Sequence, residues 1–339
     1  MLKEDAGIDN RKVTAWILNR LPDLKPPLTF SLITGGHSNL SYKCVDQAGA
    51  AYVLRRPPLG NVLESAHDMV REHRIVSAMN KSLVPVAPIH GLCEDIRING
   101  APFYLMGFVE GLVLHDVVHA RTLSMEDRAR LSEHVVKVLT DLHLTDLNDV
   151  GLDSLARKEA YLARQLKRWT QQWEATKTHE VPEMDESAAL LKERMPEQIG
   201  ATVVHGDYRL GNMLVADGRI QAVLDWELCT LGDPLADLGY LLNNWAEPGD
   251  PNSDLQVTGT GGFWSRDKIC DVYTATTGRH LTHINYYRAF SHWRLAAINQ
   301  GVYKRYLVGA MGDDQAIDLE EKKESVQRRA ESTLSLLEC

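Results

Sequence analysis

A hairpin signal beside a cluster of polar residues constrains this chain more than any other feature. Residues 203–226 read VVHGDYRLGNMLVADGRIQAVLDW, with an Asp-Gly pair at Asp217 between two apolar runs. Such a pair is a strong signal for a two-residue β-hairpin loop. Continuing the ladder from this turn pairs Asn212 with Val223, and Asp225 follows two residues later on the same face. Diagonal neighbours on one face lie about 7–8 Å apart, so the Asn212 and Asp225 side chains can converge on one cation.

These residues and the two polar residues before them have the chemistry of a phosphoryl-transfer site. An amide oxygen plus a carboxylate suits Mg²⁺, which prefers oxygen ligands and shares them with phosphates and water. Asp207 could accept a hydroxyl proton during attack on phosphorus, and His205 completes the H-x-D-x4-N spacing of kinase catalytic loops. The H-x-D triplet alone fits a simple turn equally well, with Asp225 as a strand-end cap. The adjoining hairpin and the second acid favour an active site.

Length and charge narrow the possible partners. A chain of 339 residues and 38.0 kDa suits two lobes rather than one simple core. Its net charge of −9 argues against general nucleic-acid binding. No run approaches the roughly 20 apolar residues that span a bilayer, and the start, MLKEDAGIDNRK, lacks the apolar region of a signal peptide. We expect a cytoplasmic protein without nucleic-acid or membrane partners; the oligomeric state stays open, with a homodimer as one alternative.

The order of predicted elements indicates an α+β chain with a small β-rich lobe followed by a large, mainly helical one. Alternating apolar runs predict most of the strands before residue 110, and helical periodicity dominates after it. Ser124 followed by Asp127 is typical of a helix N-terminus. The expected boundaries are an N-terminal lobe at residues 1–105, a hinge at 106–111 and a C-terminal lobe at 112–339.

VVHGDYRLGNMLV together with AVLDWELCTLGDPLADLGYLL resembles the catalytic segments of the aminoglycoside phosphotransferase family, also called the choline-kinase-like phosphotransferases. The similarity runs from about Thr29 to Gly309. It is closest to the subfamily that forms the kinase domain of some large acyl-CoA-dehydrogenase-like proteins.

The resemblance implies a protein-kinase-like bilobal fold and a role for each polar residue. His205 would brace the catalytic loop, and Asp207 would be the catalytic base. Asn212 and Asp225 would hold Mg²⁺. Asp225 is followed by Trp-Glu rather than the Phe-Gly of protein kinases, and no Ala-Pro-Glu triplet follows. Both departures favour a small-molecule acceptor over a protein.

Two further groups of residues belong to the large lobe. Asp233 and Asp237, in GDPLADLG, are expected to cap helices and brace the catalytic loop rather than to bind metal. Tyr161, Arg164 and Trp169 are candidates for the acceptor pocket, because the family builds that pocket from the helical lobe.

The small lobe offers a glycine-containing loop, ITGGHSNLSYKC, between two predicted strands. Gly35 and Gly36 let backbone N–H groups approach phosphates, although a plain turn explains two glycines as well. In the family the equivalent loop covers the nucleotide, with Ser38 and Asn39 at its end.

In YVLRRPP, Arg55 stands where the family has a phosphate-binding lysine, and Val53 matches the small residue that faces the adenine. Arginine keeps the charge and can hold a phosphate through two N–H groups. Glu72, in the next predicted helix, would be the acidic partner of Arg55. A solvated helix acid is an equally weighted alternative.

YLMGFVEG resembles a kinase hinge. Met106 would stand at the back of the adenine pocket, while the Gly107 carbonyl and the Val109 N–H would meet the base. An edge strand running into a loop explains the same residues without a ligand. ATP is the expected nucleotide and GTP an alternative, because backbone contacts discriminate poorly between bases.

The charge of one C-terminal segment bears on the acceptor. Residues 263–306 contain seven Lys and Arg residues and two Asp residues, in a chain that is acidic as a whole. Such a bias disfavours polycationic aminoglycosides and favours an anionic hydroxyl compound. The subfamily resemblance points the same way, to hydroxy acids or their CoA thioesters. Cations scattered over solvated helix faces are the equally weighted alternative.

The sequence therefore predicts a small-molecule kinase that transfers the γ-phosphoryl group of ATP to a hydroxyl, with Mg²⁺ as cofactor. A catalytically silent nucleotide-binding module that regulates a partner is the alternative from another class. The presence of Asp207, Asn212 and Asp225 argues against it. A protein kinase is disfavoured because no activation segment is recognisable.

Overall fold

A five-stranded antiparallel sheet forms the N-terminal part of the protein. The computed structural model describes residues 5–33, 39–59, 68–309 and 318–338. The strands are β1 (Thr29–Leu32), β2 (Leu40–Val45), β3 (Ala51–Arg56), β4 (Ile89–Cys93) and β5 (Phe103–Gly107). Their order across the sheet is β1-β2-β3-β5-β4, and each neighbouring pair is antiparallel.

Helix α1 (Asn10–Leu18) packs on this sheet and closes a small core. The Asp9 side chain caps the helix by accepting the Lys12 N–H at 3.1 Å. Apolar residues at helical spacing in α1 meet apolar residues that alternate along the strands. The buried members of this core are Val13, Trp16, Ile17, Leu24, Leu28, Phe30, Tyr42, Cys44, Leu54, Cys93, Phe103 and Leu105.

Helix α2 (Met69–Met79) packs against the sheet with one face and against the helical region with another. Glu72 is buried against β5, whereas Ile75, Val76 and Met79 join the large core built by the later helices. The segment after α2 is also bonded to the C-terminal part of the chain. The Val223 N–H donates to the carbonyl of Pro85 at 2.8 Å.

The remainder of the chain is mainly helical, as predicted. Ser124 is the N-cap residue of the helix at Met125–Leu144, and its Oγ accepts the Asp127 N–H at 3.0 Å. Four fully buried tryptophans fill the large core: Trp173, Trp226, Trp245 and Trp293. The helices are α3 (Ile96–Asn99), α4 (Val117–Arg121), α5 (Met125–Leu144), α6 (Leu147–Val150), α7 (Tyr161–Thr176), α8 (Pro182–Glu193), α9 (Leu235–Asn243), α10 (Arg266–Thr277), α11 (Ile284–Leu307) and α12 (Leu319–Glu338).

Two small sheets carry the polar segment identified in the sequence. They pair β6 (Thr202–Val204) with β9 (Thr230–Gly232), and β7 (Met213–Ala216) with β8 (Arg219–Val223). The second pair is the predicted hairpin. Its loop residues Asp217 and Gly218 both have positive φ, 51° and 65°, as a type I′ turn requires.

The predicted register of the hairpin is right beside the turn and wrong further along. Val215 pairs with Ile220 as expected, but Val223 pairs with Met213 rather than with Asn212. The register shifts between Leu214 and Val215, which leaves one extra residue in β8. Asn212 instead ends a 3₁₀ turn, and its carbonyl accepts the N–H of Leu224 at 2.8 Å.

Within the parts of the chain that the structure describes, no helix is both long enough and apolar enough to cross a membrane.

Candidate active site

Asp237 of α9 holds the backbone of the loop that follows β6. Its two carboxylate oxygens accept the N–H groups of His205 at 2.6 Å and Gly206 at 2.8 Å. The side chain is fully buried, and His143 of α5 lies 3.4 Å away. Burial alone would raise the pKa of Asp237, but the hydrogen bonds from His143 and the loop hold it below its ordinary value. The predicted bracing role of this acid is confirmed.

Asp233 caps α9 and ties it to its surroundings. Its carboxylate accepts the Leu235 N–H at 3.1 Å, the Ile199 N–H at 3.1 Å and the Tyr287 hydroxyl at 2.8 Å. The predicted structural role of this residue is confirmed as well.

His205 connects the loop to the far end of the hairpin. Its Nε2 lies 2.9 Å from the Leu224 carbonyl, and its Nδ1 is 3.2 Å from the Asp207 N–H. These partners fit a neutral imidazole with the proton on Nε2. The buried ring also packs against Trp226 with centroids 4.7 Å apart. His205 therefore links the backbone of Asp207 to Leu224, the residue before Asp225.

Asp207 is surrounded by hydrogen-bond donors. Asn212 Nδ2 donates to its Oδ2 at 2.7 Å, and Arg209 Nε lies 3.2 Å from its Oδ1. The phenol of Tyr240 in α9 also interacts electrostatically with this carboxylate. Burial, followed by the negative charge of Asp207, raises the pKa of Tyr240, so the phenol keeps its proton. The carboxylate is held in one orientation and is still 20 % exposed.

Asp225 follows the hairpin in a left-handed backbone conformation, with φ of 63°. A non-glycine residue in this region carries strain, which occurs most often at functional sites. Its Oδ1 lies 3.0 Å from an N–H group of Arg55, and about a third of the side chain is exposed.

The donor set of Asn212 and Asp225 fits Mg²⁺. The Asn212 amide nitrogen is used by Asp207, through its Oδ2 and its carbonyl, so the amide oxygen remains for a cation. Mg²⁺ is usually held by one or two protein oxygens, with phosphates and water completing its coordination. Among the described residues, no group of three or more His, Cys, Asp or Glu side chains forms a metal site of its own.

Arg55 lies between α2 and the end of the hairpin. Its Nε is 2.8 Å from Glu72 Oε1, and the Tyr104 hydroxyl donates to the same carboxylate at 3.1 Å. Burial would lower the pKa of Arg55, but Glu72 and Asp225 raise it, so the guanidinium stays charged. Asn39 Nδ2 reaches the other Glu72 oxygen at 3.3 Å. The structure thus brings Arg55, Glu72 and Asn39 together at the edge of the site.

The predicted hinge residues lie at the end of β5. Met106 pairs with Val53 of β3, and Val53 is buried. The Gly107 N–H is bonded to the Pro88 carbonyl at 2.8 Å. Gly107 is the last residue of the strand, so the predicted hinge 106–111 begins inside β5. Gly35, Gly36 and Ser38, predicted to cover the nucleotide, lie outside the described residues.

The three acceptor-pocket candidates of α7 have structural contacts. The Tyr161 ring is buried against the backbone of Gly232, and Trp169 belongs to the large core. Arg164 donates to the Arg157 carbonyl at 2.6 Å. None of these contacts connects the three residues to Asp207.

Sequence reasoning did not identify three residues that surround Asp207: Arg209, Tyr240 and Arg294. Arg294 of α11 donates to the Gly206 carbonyl at 2.6 Å. Arg209 could have been noticed, because it stands two residues after the proposed base. Tyr240 and Arg294 reach the loop through tertiary packing and have no local signal.

Comparison with known proteins identifies the family of this chain. Residues 29–269 match the model of the phosphotransferase enzyme family (APH). The chain belongs to this phosphotransferase family. The predicted resemblance and the prediction of a phosphotransferase are therefore confirmed.

Relatives of this phosphotransferase include two long mouse proteins. Acyl-CoA dehydrogenase family member 10 is 36% identical over 291 residues, which are 84% of this chain and 27% of the relative. Acyl-CoA dehydrogenase family member 11 is 32% identical over 340 residues, 97% of this chain and 43% of the relative. The chain thus spans less than half the length of these relatives.

Solved structures confirm the fold. A Ralstonia eutropha JMP134 protein assigned as an aminoglycoside phosphotransferase is 30% identical, with a TM-score of 0.82, over 97% of this chain and 98% of that one. Aminoglycoside phosphotransferase APH(4)-Ia, in a ternary complex with AMP-PNP and hygromycin B, is 14% identical with a TM-score of 0.62, over 96% and 98%. The predicted α+β, protein-kinase-like fold is confirmed by these likenesses.

Proposed function

We propose that this phosphotransferase is a small-molecule kinase that transfers the γ-phosphoryl group of ATP to a hydroxyl acceptor, with Asp207 as the base. The observation that carries the proposal is the arrangement of Asp207. Asn212 donates to its carboxylate, and the Asp207 backbone N–H is linked through His205 to the residue before Asp225. Family membership supports the reaction class.

The loop residues orient the Asp207 carboxylate for the proposed proton transfer. Asn212 occupies Oδ2, so the acceptor hydroxyl would approach the Oδ1 side, next to Arg209. There the guanidinium of Arg209 would also stabilise negative charge on the transferred group. Positioning and charge neutralisation of this kind supply most of the catalysis in phosphoryl transfer.

Asn212 Oδ1 and Asp225 would hold Mg²⁺, which supplies neutralisation of phosphate charge when bound. Arg55 would contact the phosphates while Glu72 keeps it in place. Asn39, Val53, Met106, Gly107 and Val109 would line the remainder of the nucleotide site.

ATP is the proposed nucleotide and GTP the alternative. One structural neighbour was solved with AMP-PNP, and aminoglycoside 2'-phosphotransferase-IIIa was solved with GDP. Because the proposed hinge contacts use backbone groups, they do not distinguish adenine from guanine. ATP is proposed as the usual nucleotide of kinases. We also propose residues 106–111 as the hinge between lobes at 1–105 and 112–339.

The proposed acceptor is an anionic hydroxy acid or hydroxyacyl-CoA rather than an aminoglycoside. The relatives named for acyl-CoA dehydrogenases support this choice. The basic segment 263–306 gives weaker support, because one of its cations, Arg266, is already paired with Glu247 and Asp250. Arg294, by contrast, lies beside the catalytic loop. No specific contact favours the catalytically silent module.

A coupled ADP-release assay with Asp207→Asn tests the function. The amide keeps the shape of the side chain but cannot accept the proton, so turnover should fall by a factor on the order of 10²–10⁴. Mg·ATP binding, measured by isothermal titration, should stay close to that of the wild type. Near wild-type turnover on the best acceptor would remove Asp207 as the base.

A further inference from the structure

The peptide unit between Gly206 and Asp207 is bonded at both of its polar groups. The Gly206 carbonyl accepts an N–H of Arg294 at 2.6 Å, and the Asp207 N–H lies 3.2 Å from His205 Nδ1. Because a peptide unit is planar, two bonds on opposite sides fix its orientation. The Cα atom of Asp207 belongs to this plane, so these contacts set where the side chain of the proposed base begins.

Gly206 is the flexible point between the braced loop and the proposed base. It has a φ of 85°, and a Cβ atom here would lie 3.0 Å from the Leu228 carbonyl oxygen, so the position requires glycine. Glycine also resists backbone rotation less than any other residue. Asp237 holds the N–H side of Gly206 at 2.8 Å. The carbonyl side is held by Arg294, from a different helix.

Helix α11 reaches the loop because it packs closely on α9. A Cβ atom at Gly239 of α9 would lie 2.9 Å from the backbone of Tyr287, so the two helices approach each other through backbone atoms there. The Tyr287 hydroxyl also donates to Asp233, which caps α9. Arg294 follows Tyr287 by seven residues, or about two turns, and therefore lies on the same face of α11. This packing places Arg294 beside the loop that α9 braces.

Arg294 is buried without the carboxylate that usually accompanies a buried cation. It is 6% exposed, and its guanidinium lies 5.3 Å from the centre of the Tyr240 ring. None of the ion pairs within the described part of the chain includes it, and its Nε has no hydrogen-bond partner there. Burying such a charge is costly, and an apolar side chain would pack at lower cost. The arginine therefore indicates a role at the loop rather than in the packing of α11.

We propose that Arg294 is a positioning residue: by holding the Gly206 carbonyl, it keeps the Asp207 carboxylate directed at the acceptor hydroxyl. The inference rests on the proposed function for the role of Asp207. Arg294 acts through the backbone of the loop rather than on the acceptor. Asp237 and Arg294 are then two halves of one clamp, in which α9 holds N–H groups and α11 holds the carbonyl.

Turnover of Arg294→Met tests this role, because methionine is a long side chain without a donor. The kcat should fall by about tenfold to a hundredfold, as expected when a reacting group is displaced by about an ångström. The KM for Mg·ATP should not change, since the proposed nucleotide contacts lie elsewhere. Arg294→Lys, which keeps the charge and a donor, should recover part of the loss.

A double-mutant cycle with Asp207→Asn separates positioning from a general loss of stability. If Arg294 acts through Asp207, adding Arg294→Met to Asp207→Asn should slow turnover no further, because the base is already absent. Equal fold-losses with and without the base would overturn the proposal. Should Arg294→Met fail to fold, Arg294→Gln enters the same cycle with the same expectations, because its shorter, uncharged amide also loses the contact.

Arg128→Met is the matched control. Arg128 of α5 is 7% exposed, and its guanidinium likewise donates to backbone carbonyls, those of Ala120, Thr260 and Gly261. Its removal takes away a buried guanidinium of the same kind without touching the catalytic loop. The kcat of this variant should stay near that of the wild type. A loss as large as that of Arg294→Met would mean a general effect of removing a buried arginine and would overturn the proposal.

Amide exchange separates this inference from the proposed function. In Arg294→Met the Asp207 N–H, followed by NMR, should exchange with solvent about tenfold faster than in the wild type, because its peptide unit can rotate. Exchange at Gly206, which Asp237 holds, should change less. An unchanged rate at Asp207 overturns the positioning role whatever the activity. If the rate rises but Asp207→Asn keeps near wild-type turnover, the clamp on the loop stands and the assignment of Asp207 as the base falls.

Discussion

Arg55 makes two ion pairs through different N–H groups of its guanidinium. Its Nε faces Glu72 at 2.8 Å, and another of its N–H groups faces Asp225 at 3.0 Å. A guanidinium presents donors in several directions, whereas an ammonium is a compact point charge. The arginine therefore ties α2 to the end of β8, beside the proposed metal ligands. A cation that binds Asp225 shares this carboxylate with Arg55.

Asp225→Ala should weaken metal-dependent nucleotide binding, because it removes one of two proposed Mg²⁺ ligands. The apparent Mg²⁺ requirement, measured by titration at fixed ATP, should increase by roughly tenfold or more. High Mg²⁺ should partly restore turnover. Asp254→Ala, which removes an exposed acid, is the control. Coinciding Mg²⁺ curves for wild type and Asp225→Ala would contradict the metal assignment.

The β7–β8 hairpin shows what a sequence pattern can and cannot determine. Turn chemistry is local, so the Asp217-Gly218 loop and the adjacent pairs were predictable. The bulge in β8 depends on how Leu214 and Val215 pack against other elements, including the bridge from Val215 to Leu112. No spacing rule contains that information. Asn212 is nevertheless tied to the residue before Asp225, because its carbonyl accepts the Leu224 N–H while His205 contacts the Leu224 carbonyl.

The packing of α11 against α12 predicts a pH dependence of stability. His292 has a pKa of about 4 in the folded protein, against an ordinary value of about 6.5. Between these values the unfolded chain binds the proton more readily, so stability contributed by neutral His292 is present above pH 6.5 and is lost as the pH falls toward 4. The charges of Arg329 and Arg288 act on it, and Arg328 and Glu331 lie beside it on α12.

Urea unfolding at pH 7 and pH 5 measures this contribution. Wild type should lose about 2 kcal/mol more of its free energy of unfolding over this interval than His292→Gln does. His280→Gln, at an exposed position, should behave like wild type. Equal pH dependence in all three proteins would show that His292 is not held neutral by its surroundings.

Much of the fold and the centre of the site could be predicted from the sequence. The H-x-D-x4-N spacing, the hairpin and the capped start of α5 are local patterns, and each is found in the structure. The contacts of Tyr240, Arg294 and Arg329 were not predictable. They depend on how α9, α11 and α12 pack together. The apolar pattern of the sequence predicts that these helices form but not how they pack.

A ligand between the two parts of the molecule should couple their unfolding. Trp16 is the one tryptophan among residues 1–105, so comparison with Trp16→Phe isolates its fluorescence from that of the other six. Mg·ATP at a hundred times its Kd should stabilise the protein by about 2.7 kcal/mol. The Trp16 signal and the remaining fluorescence should then shift together. A shift in only one of them would place the nucleotide outside the cleft.

Helix α2 offers a last consequence, one of regulation. In protein kinases, repositioning the equivalent helix switches activity by breaking its ion pair with the phosphate-binding residue. Here Ile75, Val76 and Met79 are anchored in the large core, and Arg74 donates to Ser154 at 2.8 Å. Displacing α2 would expose these apolar side chains, each worth about 1.5–3 kcal/mol of burial. We therefore expect α2 to stay in place, and the Arg55–Glu72 ion pair to persist, whether or not substrate is bound.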